Sequence, residues 1–227
     1  MTFSDRLIPL RQRIDIACQR AKRDPNSVRL VAVSKLKPAS AIVEARAVGQ
    51  ELFGESYVQE FLGKYEEISP SPHWHFIGAL QSNKVKYLKG KVDLIHSVDR
   101  LSLAQEIARQ WRDQATSANI LLQVNVGGEV SKSGCAPDEL ISLVQKIALL
   151  PKLHVRGLMT LPPWSEDPEE VRPYFRKLRQ LADEVSALGL ANVTMEELSM
   201  GMSDDFEVAI EEGATLIRVG TALFGRR

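Results

Sequence analysis

The sequence has few cysteines and no excess of charge of either sign. Its 227 residues include only Cys18 and Cys135, and 29 lysines and arginines balance 29 aspartates and glutamates. Two distant cysteines in a chain of this size predict free thiols in a reducing compartment, not a disulfide framework. Because a zero net charge gives no field that attracts phosphate backbones or anionic lipid, we expect neither nucleic acid nor a membrane surface as a partner.

Long apolar runs are also missing. The N-terminus reaches charge at Asp5 and Arg6, it has no apolar core of signal-peptide length, and no later run approaches a membrane span. We therefore expect a cytoplasmic protein. Hydrophobic residues make up 44% of the chain, which is enough for one sizeable core. Since no flexible linker or low-complexity tract interrupts the sequence, we expect a single domain over residues 1–227.

Short apolar segments alternate with segments of helical periodicity. An amphipathic helix over residues 5–22 comes first. Eight strands are then predicted at Arg29–Ser34, Glu51–Gly54, Trp74–Gly78, Val92–Ser97, Asn119–Val126, Leu153–Met159, Val193–Ser199 and Thr215–Val219. Helices between them are predicted at Ala39–Val48, Tyr57–Glu67, Leu101–Ala115, Asp138–Leu149, Glu169–Leu188 and Asp204–Glu212. This α/β alternation in a chain of this length favours a (β/α)8 barrel, the TIM barrel, over an open sheet of six or seven strands.

Lys35 is a candidate for covalent chemistry because it follows the first predicted strand, where barrels place their working residues. An amine against the apolar run that ends at Ser34 is disfavoured in its charged form, and a neutral amine attacks an aldehyde. The alternative is that Lys35, like Lys37, is a solvated lysine beyond a strand end.

Two glycine-containing turns follow the seventh and eighth predicted strands, where barrels bind phosphate. The first turn runs over residues 199–203 and the second over residues 218–221. Gly201 and Gly220 permit a close backbone approach, and Ser203 and Thr221 offer hydroxyl groups. Alternatively, Ser203 only caps the next helix and Gly220 only makes a turn. The neighbouring Asp204 and Asp205 would repel a phosphate unless they point away from it.

Three other features have ordinary explanations. His73 and His75 share one strand face, but no third ligand follows at a metal-binding spacing, so packed or hydrogen-bonded histidines are favoured over zinc. The basic run from Lys84 to Lys91 is expected to be a solvated helix face with its flank. Cys135, without a nearby histidine, is expected to be structural.

The same motifs resemble the pyridoxal phosphate homeostasis protein family (PROSC-like or YggS-like) along almost the whole chain. The matching segments are residues 31–35 (VAVSK), 53–55 (FGE), 75–78 (HFIG), 81–84 (QSNK), 157–160 (GLMT), 198–205 (LSMGMSDD) and 217–225 (IRVGTALFG). The resemblance implies a monomeric barrel similar to the N-terminal domain of alanine racemase, with pyridoxal 5′-phosphate held as a Schiff base on Lys35.

The resemblance also implies the residues that contact this cofactor. Phosphate contacts are implied for Ser203, Gly220 and Thr221, and a ring-nitrogen contact for Arg218. An arginine there would leave the nitrogen unprotonated, which weakens the ring as an electron sink; the alternative for Arg218 is a salt bridge to Glu197. The remaining candidates for cofactor contact are Ser56, His75 and Met202. The family usually has asparagine where this chain has Ser56, and serine is shorter and lacks the amide donor.

Three functions are compatible with these residues. The first is a non-catalytic carrier or buffer that masks the reactive aldehyde, affects amino-acid metabolism and supplies apo-enzymes. The second is an amino-acid racemase, which needs a second acid/base facing the lysine; in alanine racemases an additional domain of the partner subunit supplies it, and we expect none here because the sequence ends at Arg227. The third is a regulatory module in which the cofactor acts as a sensor for a partner protein.

Overall fold

Eight parallel strands close into a barrel in chain order, with β8 hydrogen-bonded to β1. The computed structural model describes residues 2–129 and 133–225. The strands are β1 (Arg29–Val33), β2 (Leu52–Glu55), β3 (His73–Phe76), β4 (Leu94–Val98), β5 (Ala118–Gln123), β6 (Leu153–Met159), β7 (Val193–Ser199) and β8 (Leu216–Val219). The α-helices are α1 (Phe3–Arg20), α2 (Ala39–Ala47), α3 (Val58–Glu67), α4 (Leu101–Trp111), α5 (Leu140–Ala148), α6 (Pro168–Ser186), α7 (Phe206–Glu211) and α8 (Thr221–Phe224).

The predicted barrel is confirmed, and the open-sheet alternative is wrong. Each predicted strand overlaps an observed strand, and the predicted helix over residues 5–22 is α1. Two helical segments differ from the prediction. The segment between β3 and β4 is a 3₁₀ helix over Ser82–Tyr87, and the short helix α8 after β8 was not predicted.

Helix α1 begins at a capping box and packs across the outside of the barrel against α7 and α8. The Thr2 hydroxyl accepts the Asp5 N–H, while the Asp5 carboxylate accepts the Thr2 N–H. One face of the helix is buried, and at its start the Phe3 ring lies 5.1 Å from the Phe224 ring. The extra helix therefore supports the segment that follows β8.

The barrel interior is divided into an apolar cluster and a polar network. The apolar cluster consists of Val31, Leu94, Leu121, Met159 and Leu216. The polar side chains are buried and joined to one another; they are His75, His96, Ser199 and Arg218. A larger apolar core lies between the strands and the surrounding helices. None of the described helices combines the length and the apolar composition that a bilayer crossing requires.

Candidate functional site

A cavity of about 260 Å³ opens at the carboxyl ends of the strands, and we refer to it as the carboxyl-end cavity. Seven of the eight candidate site residues line it: Lys35, Ser56, Met202, Ser203, Arg218, Gly220 and Thr221. Val33, Ile77, Leu161 and Asp204 complete the lining. Residues from β1, β2 and the two turns after β7 and β8 therefore meet in one space, because parallel strands deliver their ends to one face of the barrel.

Lys35 lies two residues beyond the end of β1 and is half-buried. The backbone turns sharply at the next residue, Leu36, whose φ is 62°. The Lys37 N–H donates to the Ser34 carbonyl at 3.0 Å, which closes the turn. The Lys37 ammonium donates to the carbonyls of Phe224 and Gly225. Lys37 is therefore engaged on the outside, and Lys35 is the lysine that borders the cavity.

A buried ion pair supports the strand end that carries Lys35. Lys64 on α3 donates to Glu55 Oε1 at 2.6 Å and to the Ser34 carbonyl at 2.8 Å. The Ser34 hydroxyl also donates to Glu55 Oε1, at 2.6 Å. Burial raises the pKa of Glu55, while the hydrogen bonds from Lys64 and Ser34 oppose that rise. Two strand ends, those of β1 and β2, are thus tied to α3 beneath the cavity.

The two predicted turns touch each other at the wall of the cavity. Ser203 Oγ accepts the Ala222 N–H at 3.5 Å, so the hydroxyl joins the turn after β7 to α8. Ser203 makes no other side-chain hydrogen bond within the described ranges, so the alternative that it caps α7 is wrong. The Asp205 carboxylate is turned back to accept the Met202 N–H at 2.5 Å, whereas Asp204 is exposed and borders the cavity. Of the two aspartates, only Asp205 points away from the cavity, as the binding of a phosphate would require.

Gly201 has a different role from the one predicted. Its φ is 90°, and an added Cβ would lie 2.6 Å from Ala209 Cβ and 3.0 Å from Phe206 Cα. The residue does not border the carboxyl-end cavity. The close approach that glycine permits here is therefore to α7, not to a ligand.

Arg218 lies in the floor of the cavity and is almost completely buried. It donates to the Thr160 carbonyl at 2.8 Å and to Ser199 Oγ. Glu197 instead receives Arg29 and the Thr215 hydroxyl, so the alternative of a salt bridge to Glu197 is wrong. Burial lowers the pKa of Arg218 to about 10, and the nearby Asp205 carboxylate opposes this. The guanidinium remains a cation at neutral pH.

His75 does not border the carboxyl-end cavity. Its Nδ1 lies 2.9 Å from His96 Nε2, and His96 Nδ1 lies 2.9 Å from Ser199 Oγ. His75 instead borders a separate cavity of about 190 Å³ at the amino ends of the strands. The expectation of a hydrogen-bonded histidine is confirmed. The predicted contact between His75 and the ligand is not supported, because His75 lies away from the carboxyl-end cavity. His73 is exposed and bonded to Asp93.

A second cavity, of about 510 Å³, adjoins the first and shares four lining residues with it. The shared residues are Lys35, Ser56, Ile77 and Leu161, and the adjoining cavity continues past Tyr57 and Gln123. Lys35 therefore lies where the two spaces meet. An amine at this junction can be reached from solvent without passing the two turns.

Neither cysteine has the surroundings of a nucleophile. Both are buried free thiols. Burial raises the pKa of Cys135 to about 12 and raises that of Cys18. A thiol that stays protonated at neutral pH is unreactive, which agrees with the structural role expected for Cys135.

The comparisons with known proteins agree with this geometry. The family model described as the N-terminal domain of alanine racemase matches residues 7–227. A pyridoxal phosphate homeostasis protein from Aquifex aeolicus is 51% identical over 100% of this chain and 99% of the relative. A protein of the same name from Pseudomonas aeruginosa is 46% identical over 100% of this chain and 96% of the relative.

Solved structures show the same fold. PipY of Synechococcus elongatus, solved with PLP bound, has a TM-score of 0.86 and 38% identity, covering 99% of this chain and 100% of PipY. An alanine racemase from Corynebacterium glutamicum has a TM-score of 0.69 at 15% identity, covering 96% of this chain and 61% of that one. At that identity, the likeness to the racemase concerns the fold alone.

Proposed function

The chain belongs to the pyridoxal phosphate homeostasis protein family, and we propose that it binds pyridoxal 5′-phosphate in the carboxyl-end cavity as a Schiff base on Lys35. The observation that carries this proposal is the convergence of seven candidate residues on one cavity, with the Lys35 side chain beside the two turns. The PLP-bound structure of PipY, a 38% identical relative of the same length, supports the choice of cofactor.

The residues present fit the cofactor. A cavity of about 260 Å³ accommodates a single pyridine ring with its phosphate. The Ser203 and Thr221 hydroxyls and the Gly220 backbone line the end where a phosphate would be held. Arg218, at the floor, would face the ring nitrogen, and Met202 and Ser56 would border the ring. When bound, the cofactor supplies an aldehyde that condenses with a primary amine and releases water.

The protein's residues hold and shield this group. The pair formed by Glu55 and Lys64 fixes the strand end before Lys35 and thereby holds the backbone that presents its side chain to the cavity. Arg218, a cation at neutral pH, does not donate a proton to the ring nitrogen as an acid would. This disfavours carbanion chemistry and suits storage of the cofactor.

We propose a carrier or buffer without turnover that passes the cofactor to apo-enzymes and thereby affects amino-acid metabolism. The names of the relatives support a homeostasis role. The junction of the two cavities at Lys35 also supports it, because a receiving amine can approach there. We further propose that residues 1–227 act as one cytoplasmic, monomeric domain, which size-exclusion chromatography with light scattering tests.

The covalent link is tested by borohydride reduction of the protein loaded with pyridoxal 5′-phosphate, followed by peptide mass spectrometry. We expect the cofactor on the peptide that contains Lys35, none on a Lys35→Ala variant, and full loading of Lys37→Ala, the matched control. Attachment to Lys37, or full covalent loading of Lys35→Ala, would overturn the assignment.

Carrier and racemase are distinguished with the same protein. For a carrier, an apo-enzyme regains activity faster from the loaded protein than from an equal concentration of free cofactor after dilution into a cofactor trap. For a racemase, enantiomerically pure alanine or serine loses optical activity at a sustained rate that disappears in Lys35→Ala. Sustained turnover of this kind would refute the non-catalytic role. Transfer no faster than release into the trap would refute delivery.

A further inference from the structure

A hydrogen-bonded network of four side chains crosses the barrel interior, and we refer to it as the interior network. Arg218 Nη1 donates to Ser199 Oγ, which lies 2.9 Å from His96 Nδ1, and His96 Nε2 lies 2.9 Å from His75 Nδ1. The members come from β8, β7, β4 and β3, and all of them are buried. The network thus runs from the floor of the carboxyl-end cavity to the amino-end cavity.

The charge of Arg218 gives this network a direction. A guanidinium has only donors, so Ser199 Oγ accepts from it and is left with its own hydrogen to donate. Within residues 2–129 and 133–225, the other hydrogen-bond partner of Ser199 Oγ is His96 Nδ1. Because Ser199 is fully buried, its hydroxyl hydrogen is paired only if His96 Nδ1 is the acceptor, and this assignment places the His96 proton on Nε2. His96 Nε2–H therefore donates to His75 Nδ1, and His75 carries its proton on Nε2.

Both imidazoles are neutral under ordinary conditions. Burial lowers the pKa of His75 to about 3 and that of His96 well below its ordinary value, and the cation of Arg218 adds to the effect on His96. Neutrality matters because an imidazolium has no acceptor. A protonated His96 would face the serine with a second donor and would end the directed arrangement.

We propose that Ser199, His96 and His75 are positioning residues that hold the guanidinium of Arg218 at the ring nitrogen of the bound cofactor. This inference rests on the proposed function. The described hydrogen bonds of Arg218 go to two neutral acceptors, Ser199 Oγ and the Thr160 carbonyl, and none goes to a carboxylate. These two hydrogen bonds fix the plane of the guanidinium from the barrel interior. Neither acceptor neutralises its positive charge, so the charge can interact with a ligand in the cavity. A serine hydroxyl free to rotate would hold the guanidinium less firmly than one anchored on His96.

The test compares two ligands, pyridoxal 5′-phosphate and its 1-deaza analogue, in which a ring C–H replaces the nitrogen. Dissociation constants are measured by spectroscopic titration of the full-length protein and of two variants. His96→Leu removes the acceptor for the Ser199 hydroxyl. His96→Asn keeps a side-chain oxygen close to the place of Nδ1, so it is the conservative variant that rescues the arrangement.

We expect the unaltered protein to prefer the parent cofactor to the analogue. His96→Leu should weaken binding of the parent roughly tenfold and leave binding of the analogue unchanged, because only the parent uses the ring-nitrogen contact. His96→Asn should retain most of the preference. Equal weakening of both ligands would show a merely structural role for His96 and would overturn the inference, as would no weakening of either.

Ser199→Ala and His75→Leu keep the inference testable if His96→Leu does not fold. The loss of preference should be largest for Ser199→Ala and smallest for His75→Leu, since influence falls with each hydrogen bond away from Arg218. An unaltered protein that binds both ligands equally at Lys35 would overturn the inference but leave the proposed function standing. A protein that binds neither ligand would refute the proposed function itself.

Discussion

Lys64 Nζ lies 2.6 Å from Glu55 Oε1 in the protein interior, directly beneath the strand end that carries Lys35. Both side chains are almost inaccessible to solvent. The second carboxylate oxygen of Glu55 is buried and has no hydrogen-bond partner in the part of the chain that the structure describes. Lys64 also pairs with Glu60 on α3 at 2.6 Å, and Glu60 accepts the Leu36 N–H, so this group of bonds holds the segment on both sides of Lys35.

Removing one member of this pair should destabilise the protein strongly. Lys64→Met leaves the Glu55 carboxylate without its cation, and we expect the free energy of unfolding to fall by about 3–5 kcal/mol. Combining it with Glu55→Gln should cost less than the sum of the two single changes, because the neutral amide no longer needs the cation. Urea denaturation measures each value. Arg109→Met, which breaks an exposed pair with Glu106, should cause no measurable change. A fully additive double variant would contradict this account.

The stability of the protein should fall on acidification because of its buried histidines. The pKa of His75 is about 3 in the folded protein, against an ordinary value of 6.5, so the unfolded chain binds the proton more readily. The stabilisation is complete above about pH 6.5 and is lost towards pH 3, by up to about 1.4 kcal/mol per pH unit for this residue. Glu55, with its raised pKa, contributes with the opposite sign. The difference between variants therefore isolates the histidine.

Urea denaturation at several values between pH 7.5 and pH 4.5 provides the measurement. The His75→Gln variant cannot titrate at this position. Its free energy of unfolding should therefore fall less steeply with decreasing pH than that of the unaltered protein, and the two slopes should differ by the equivalent of close to one bound proton. Parallel pH profiles of the two proteins would contradict the claim that burial lowers the pKa of His75. His73→Gln, at an exposed histidine of the same strand, serves as the matched control.

The hydroxyls of the two turns should contribute to phosphate binding. Ser203→Ala and Thr221→Val each remove a donor from the cavity wall, and we expect affinity for pyridoxal 5′-phosphate to fall by roughly tenfold or more, because hydrogen bonds to charged groups are the stronger ones. Affinity for pyridoxal, which lacks the phosphate, should not change. Ser186→Ala at the exposed end of α6 is the control. A parallel loss for pyridoxal would place the two hydroxyls elsewhere on the ligand.

Ser56→Asn should strengthen cofactor binding by a few fold. Ser56 borders both cavities, and its backbone packs closely on Gly78, where an added Cβ would lie 2.2 Å from the Ser56 carbonyl oxygen. The backbone is therefore held in place, and a longer side chain at residue 56 would extend towards the ring with an amide donor. Titration of the two proteins with pyridoxal 5′-phosphate measures the effect. Weaker binding by the asparagine variant would show that serine is required by the shape of this cavity.

The fold was predictable because its signals are local. Apolar runs such as Arg29–Ser34 and Leu153–Met159 alternate with amphipathic helices, and parallel strands then bring Lys35 and Arg218 to the same face. The lining of the carboxyl-end cavity follows from that rule. Strand ends are identifiable from sequence, and barrel geometry then brings them together.

The interior network and the buried pair were not predictable in the same way. All residues of β4 are buried, so the strand shows no alternation that would mark His96 as facing the interior. Ser199 has no signal of its own, since its importance comes from a partner 103 residues away. Lys64 offers a faint signal, because it stands at a helical spacing from the buried Val58 and Phe61, where an apolar residue is expected. A lone lysine in that register indicates a buried partner.

The contact between Phe3 and Phe224 brings the two ends of the described chain side by side. Ends this close can be joined by a short peptide and new termini opened elsewhere, as circular permutation requires. The exposed turn over residues 189–192, between α6 and β7, lies on the face opposite the carboxyl-end cavity. A permutant cut there keeps the turns after β7 and β8 intact, and it moves the termini, where a reporter domain is fused, to the face opposite the carboxyl-end cavity.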